Sequence, residues 1–360
     1  MTQRLTDRQI KDLIRKIEFE PLKITVAKTQ AKAAEFGGGE SALLDVRWKN
    51  TSQKFIAEIL RQATPKQIET GMLRLEKYAR EAAANGEQTG KERLYTILVA
   101  PFLSERTLNR LIEAEISGID LSGNGVVFVP EKLFVYRAGA KNKFLSNALI
   151  KNVFRGTSSL IARVFFSKYE YENVGEVLEE ITMRGGFTTF STVSKVLKTL
   201  EEELLISRNE KIRLLDAKKL LDALRENYRR PEARRNLRAK CIDLPFALKR
   251  ISENAEAKSV LYARDDPAKY VVMPQGASPA KIYAESVDDL LDGVDFTETN
   301  RFPDIELIET DDGGVYFDRR NDAGFYWLSP LQTYLELGGE GKREQETASG
   351  MVKGLLDFKY

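Results

Sequence analysis

The stretch from Ser158 to Leu215 constrains the fold most. Leu160, Ile161, Val164, Phe165 and Phe166 form the apolar side of one helix, Val174 to Ile181 reads as a second, short helix, and Arg184-Gly-Gly186 reads as a turn. A third helix carries Val193, Val196, Leu197, Leu200 and Leu204 at helical spacing, with Thr188 or Ser191 as its cap. Leu204 to Ile206, the polar turn from Ser207 to Lys211, and Ile212 to Leu215 then read as strand, turn and strand. Asp216 caps a further helix through Tyr228, which ends before Pro231.

Three helices followed by a hairpin predict a winged helix-turn-helix over residues 151–240. Its third helix displays Thr188, Thr189, Ser191, Thr192, Ser194, Lys195, Lys198 and Thr199. Small hydroxylated residues at a helix start permit close approach to a major groove, and their hydroxyls and first-turn amides can hold phosphate. Arg208, Lys211 and Arg213 fall on or beside the wing, and Arg229, Arg230, Arg234, Arg235 and Arg238 follow. Glutamates 201–203 limit how much of the helix enters a groove, so Lys195 lies nearer its useful end. The bland alternative is a structural winged helix or a protein-interaction module.

Charge is unevenly spread. Residues 1–150 carry 24 basic and 18 acidic side chains, residues 151–240 carry 19 and 13, and residues 241–360 carry 13 and 23. The chain total of +2 therefore conceals segments of +6, +6 and −10. Double-stranded DNA is the partner expected for the first two. The acidic third solvates itself or faces a basic protein, and it is expected to be dispensable for DNA contact.

Upstream, residues 5–18 read as a helix, and Leu22, Ile24 and Val26 as a strand. Gly37-Gly-Gly39 reads as a turn, lacking the Lys-Ser/Thr ending of a phosphate loop. Leu43 to Trp48 and Lys54 to Leu60 form a hairpin, and Thr64-Pro65 opens a helix that runs to Ala84 and stops at Asn85-Gly86. Tyr95 to Ala100 is a buried strand, Ser104 caps a helix, and short strands follow around the Ser122-Gly-Asn-Gly125 turn and at Leu133 to Tyr136. This order predicts a small α/β domain with a mixed sheet over residues 1–150. Over residues 241–360 an α+β domain is expected. Its strands are Val260 to Tyr262, Tyr270 to Met273, Ile282-Tyr283, Glu306 to Ile308 and Val315 to Phe317. A helix opened by Ser329-Pro330 and a final helix over 344–356 complete it. The class is thus α/β and α+β, multidomain.

Histidine is absent and Cys241 is the single cysteine, so imidazole bases, Ser-His-Asp triads, disulfides and thiolate metal clusters are excluded. Cys241 reads as core. Any metal must be a hard ion on carboxylates. No apolar run reaches eighteen residues and the N-terminus is charged, so no membrane partner and a cytoplasmic address are expected. Asp45 and Glu58 lie on the two strands of the first hairpin, where paired carboxylates could share Mg²⁺ against a scissile phosphate. The residue two beyond the glutamate is Leu60, and Arg61 should point to the other side of the strand.

The Asp45 and Glu58 spacing resembles the PD-(D/E)xK nuclease superfamily, which implies a restriction-endonuclease-like mixed sheet with those two acids as metal ligands. The lysine that the superfamily carries at position 60 is a leucine, so an active Mg²⁺-dependent endonuclease, a decayed nuclease-like domain and an unrelated α/β domain all stay open. Tyr95 to Glu105 and Gly118-Ile-Asp-Leu-Ser-Gly-Asn-Gly125 look like the closing half of such domains in bacterial regulators. Ile305 to Ile308, Val315 to Phe317 and Leu328 to Leu337 resemble the AbiEi-type antitoxin and transcriptional regulator family of type IV toxin-antitoxin systems. Residues 241–259 depart from that family's pattern. The resemblance implies a regulator that binds its own promoter, no cofactor, and a nucleotidyltransferase-like toxin opposed by the C-terminal domain.

Overall fold

The structure is a computed structural model that describes residues 18–30, 40–84, 94–144, 152–271, 279–339 and 341–357. The expected helix lies outside the described residues over 5–17, and its last residue, Glu18, begins a short strand; the glycine turn at 37–39 and the Asn85-Gly86 stop also lie outside the described residues. The chain has a multidomain architecture of mixed sheets and helices, and it falls into two compact units, 1–150 and 151–360. No helix among the described residues is long and apolar enough to cross a membrane.

The first unit is an eight-stranded sheet whose spatial order follows the sequence: β1 (Glu18–Phe19), β2 (Leu22–Gln30), β3 (Glu40–Trp48), β4 (Thr51–Ile59), β5 (Tyr95–Ala100), β6 (Ser117–Asp120), β7 (Gly125–Val129) and β8 (Leu133–Arg137). The β4-β5 and β5-β6 pairs are parallel and the others antiparallel. Each parallel step needs a crossover. These are helix α1 (Pro65–Ala84), which starts on its proline, and α2 (Glu105–Glu113), capped by Ser104 accepting from the Thr107 amide. Strand alternation divides the core. Leu44, Val46, Phe55, Ala57, Ile97 and Val99 face one side, while Leu60 and Leu98 face α1 and α2. The Asp-Leu-Ser-Gly-Asn turn closes on Asp120. This buried carboxylate accepts from the amides of Leu103, Ser122, Gly123 and Asn124 and from Asn124 Nδ2, at 2.7–2.8 Å.

The second unit begins with α3 (Gly156–Arg163), β9 (Glu170–Tyr171), α4 (Val174–Met183), α5 (Phe190–Glu202), β10 (Ile206–Arg208), β11 (Ile212–Leu214) and α6 (Ala217–Asn227). The three strands form a small antiparallel sheet in the order β10-β11-β9. There follow β12 (Arg235–Cys241), α7 (Leu244–Lys258), β13 (Tyr262–Asp265), β14 (Ala280–Ala284), α8 (Val287–Leu290), β15 (Phe296–Glu298) and β16 (Ile305–Glu309). The unit ends with α9 (Gly313–Tyr316), β17 (Arg320–Asp322), β18 (Phe325–Trp327), α10 (Pro330–Gly338) and α11 (Lys342–Leu356). Strands β12 to β18 make a mixed seven-stranded sheet in the order β15-β12-β16-β14-β13-β18-β17.

Three features differ from the expectations. The expected division at residue 240 is crossed by one hydrophobic core: Leu160, Phe165, Val193, Leu197, Leu221 and Leu224 pack in the same cluster as Leu331, Leu335, Leu337, Met351 and Leu355. At about 1.5–3 kcal/mol for each buried aliphatic side chain, those C-terminal residues contribute substantially to the core of the three-helix element. The strand expected at Val315 to Phe317 is a short helix, because the Asp312 carboxylate accepts from the Gly314 amide and caps it. Tyr270 sits in a turn after a 3₁₀ segment at Pro267–Lys269, and the rest of the strand expected there lies largely outside the described residues.

Candidate nucleic-acid interface

Helix α5 presents its apolar stripe inward, with Val193, Val196, Leu197 and Leu200 buried, which leaves Ser191, Lys195 and Lys198 on the open face and Thr192 and Ser194 half-buried beside it. Its cap is Thr189, which lies between the two positions the sequence suggested, Thr188 and Ser191. Thr189 has an extended backbone and its hydroxyl accepts from the Thr192 amide at 3.3 Å. The Thr188 hydroxyl is instead buried without a hydrogen-bond partner. The α4–α5 turn is pinned from two sides. Arg184 donates to Glu180 at 2.7 Å and pairs with Asp318, and the Asp318 amide donates to the Arg184 carbonyl. A Cβ on Gly186 would come within 2.8 Å of Ile181 and 3.0 Å of Phe317, so only glycine lets the turn approach this closely.

The expected DNA-facing cations separate into two groups. Lys195, Lys198 and Arg208 form no ion pair among the described residues. Lys211 and Arg213, on the β10–β11 hairpin, are engaged by the neighbouring strand. Lys211 pairs with Glu172 at 2.7 Å and Glu170 at 3.0 Å, and Arg213 with Glu170 at 2.6 Å. The bonds from Lys211 and Arg213 hold the Glu170 carboxyl below its usual range, and those to Glu172 and Glu170 hold the Lys211 ammonium above its own. The basic run after α6 is also largely committed. Arg234 pairs with Asp311 at 2.9 Å, Arg235 with Asp288 at 2.7 Å and Arg238 with Glu306 at 2.9 Å. Sequence reading passed over β9, where Glu170 and the adjoining Glu172 decide which wing cations are available. It also passed over the apolar side chains at the open end of α5, where Met183, Phe187 and Phe190 are exposed.

The acid pair of the first unit is not brought together. In the β3–β4 register Asp45 lies opposite Lys54, whereas Glu58 lies opposite Ser41. The acids point to the same side of the sheet but stand four residues apart along it, about 13 Å at strand rise. Asp45 is partly exposed beside Arg47, at 3.9 Å. Glu58 is fully buried beneath α1 and accepts from Arg74 Nη1 at 2.7 Å, with its other oxygen unpartnered. Burial pushes its carboxyl above the usual range, opposed by the Arg74 hydrogen bond and charge. A Cβ on Gly71 would stand 2.7 Å from Leu98, 3.2 Å from Leu60 and 3.6 Å from Glu58, so α1 lies directly on this acid and on Leu60. Among the described residues no group of three or more acidic or thiol side chains is arranged to hold a metal ion.

Comparison of the chain with protein-family models, curated proteins and solved structures returns no match. The functional reading therefore rests on the residues above.

Proposed function

We propose that the chain is a double-stranded DNA-binding transcriptional regulator, with residues 156–227 acting as a winged helix whose α5 enters the major groove. One observation carries this reading: among the described residues, the open face of α5 offers Lys195 and Lys198 free of ion pairs beside Ser191, with Arg208 likewise unpaired on the hairpin. Free cations release counterions when they meet phosphates, whereas paired ones must first give up their partners. In this reading Lys195, Lys198 and Arg208 supply the phosphate contacts, Ser191, Thr192 and Ser194 line the approach, and Lys211 and Arg213 contribute little. The acidic 241–360 segment, net −10, faces a protein partner, for which a nucleotidyltransferase-like toxin is what the family resemblance implies. The first unit serves as a nuclease-like domain without cleavage, since Glu58 is sealed under α1.

The test is a band-shift titration over genomic fragments that include the chain's own promoter. Binding should weaken steeply with salt, and Lys195→Ala with Lys198→Ala should lower the slope of log K against log [salt] by about 2. Absence of binding to every fragment at low salt would sink the reading.

A further inference from the structure

A cavity of about 110 Å³ in the second unit is walled by the start of α3 and the end of α6 on one side and by α9 and α10 on the other. Four arginines line it, Arg155, Arg163, Arg229 and Arg230. Arg163 is only 7 % exposed. Its Nη1 donates to the Gly314 carbonyl and to Gln332 Oε1, both at 2.8 Å, and both residues belong to the cavity wall. Its Nε has no hydrogen-bond partner, and it forms no ion pair among the described residues. Burial is the largest influence on this group and works against its charge, yet an arginine stays protonated. A buried cation served only by neutral acceptors is costly unless a counter-charge joins it.

The remaining wall points the same way. Gly156, the first residue of α3, and Ser159 line the cavity, and the α3 cap residue, Arg155, places no side-chain acceptor on the first-turn amides. A helix start with open amides favours an anion. Two carboxylates among the described residues stand beside these arginines. Asp312, on the wall, is spent capping α9. Glu336, buried behind, accepts from Gln332 and Tyr228 and lies 3.7 Å from Arg230. Among the described residues that line the cavity the arginines outnumber the acids, Asp312 being the one carboxylate of the wall, and such a surplus suits a phosphate group carrying about −1.5 to −2 at neutral pH. The volume is well below the roughly 300 Å³ at which whole-ligand pockets begin, so it suits a phosphate-sized group.

We propose that this cavity binds a phosphate group, either the free ion or the terminal phosphate of a nucleotide whose remainder projects through the opening. The site does not depend on the DNA-binding reading, and its test uses no DNA. The full chain is melted, and titrated calorimetrically, with inorganic phosphate, with AMP, and with chloride and acetate at matched ionic strength. Phosphate or AMP at a hundredfold excess over its Kd should raise the melting temperature of the second unit by roughly 5–10 °C, with no comparable effect of chloride or acetate. Arg229→Gln and Arg155→Gln alter exposed side chains and should retain the fold while weakening binding at least about tenfold each, as loss of a charge-assisted hydrogen bond does. Equal affinity for phosphate and AMP assigns the free ion, and tighter AMP binding assigns the nucleotide. A response to phosphate no larger than that to chloride, or unchanged affinity in both variants, overturns the proposal.

Discussion

Glu58 in the first unit and Arg163 in the second are both buried charges, and the two are handled in opposite ways. Glu58 is fully buried and meets a single cation, Arg74, at 2.7 Å across the α1–β4 contact. Arg163 is nearly as deep but meets only neutral acceptors, while three further arginines gather at the same cavity. The first arrangement is closed, since the charge, its partner and the helix above leave no space for a ligand. The second is incomplete. A buried charged residue is therefore a poor guide to chemistry by itself, and what separates a structural ion pair from a binding site is whether the compensating charge is already part of the chain.

The strongest way to break the comparison is to remove Arg74. Arg74→Met leaves Glu58 buried without its cation, and unfolding of the first unit by denaturant should lose about 3 kcal/mol. A loss under about 0.5 kcal/mol would mean that Glu58 takes up a proton at little cost. Arg163→Met should act in the opposite sense. Replacing an uncompensated buried cation by an apolar chain of similar length should be neutral or stabilising, by up to about 2 kcal/mol, in phosphate-free buffer. Clear destabilisation there would show that its hydrogen bonds to Gly314 and Gln332 outweigh the unpaired charge.

The pH dependence sharpens the contrast further. Burial raises the Glu58 carboxyl above its usual range, so the folded state takes up a proton before the unfolded state does. The cost of the ionised form is fully present above the folded pKa and is relieved as pH falls through it toward the ordinary carboxylate value. The stability of the wild type relative to Glu58→Gln should thus rise between pH 7 and about 4.5. A difference that falls over that interval would show that Arg74 dominates instead. The smallest effect belongs to the surface. Glu170→Gln with Glu172→Gln releases Lys211 and Arg213, and DNA binding, if present, should tighten by roughly three- to tenfold and gain salt dependence, because two more cations reach phosphate. No change would mean that this hairpin lies away from the duplex.

Much of the fold was legible where local chemistry decides it. Pro65 in a first turn, Ser104 and Ser329 as caps, and the alternation Phe55, Ala57, Ile59 each specify an element within a few residues. Val315 to Phe317 was misread because three apolar residues carry no period, and the cap at Asp312 outweighs their strand preference. Strand β12 was overlooked although Leu237, Ala239 and Cys241 alternate inward, because its intervening arginines read as a DNA surface and are in fact paired within the unit. For the candidate site, the free face of α5 followed from helical spacing. The engagement of Lys211 and Arg213 did not, since Glu170 lies more than forty residues away in sequence and meets them only through β9–β11 pairing. The separation of Asp45 from Glu58 was likewise a matter of register, which a hairpin's length alone leaves open.

The core shared between the three-helix element and α10–α11 also sets the order in which the second unit can be made. Leu160 and Leu221 are completed by Leu335, Met351 and Leu355, so the earliest helices of this unit wait for the last segment of the chain. During synthesis at about 5–20 residues per second, their apolar faces stay open for roughly ten seconds or more before the closing helices emerge. Long-range closure of this kind slows folding and lengthens exposure to wrong partners. A chain cut at residue 240 would be held permanently at that stage, available to chaperones and proteases rather than to DNA.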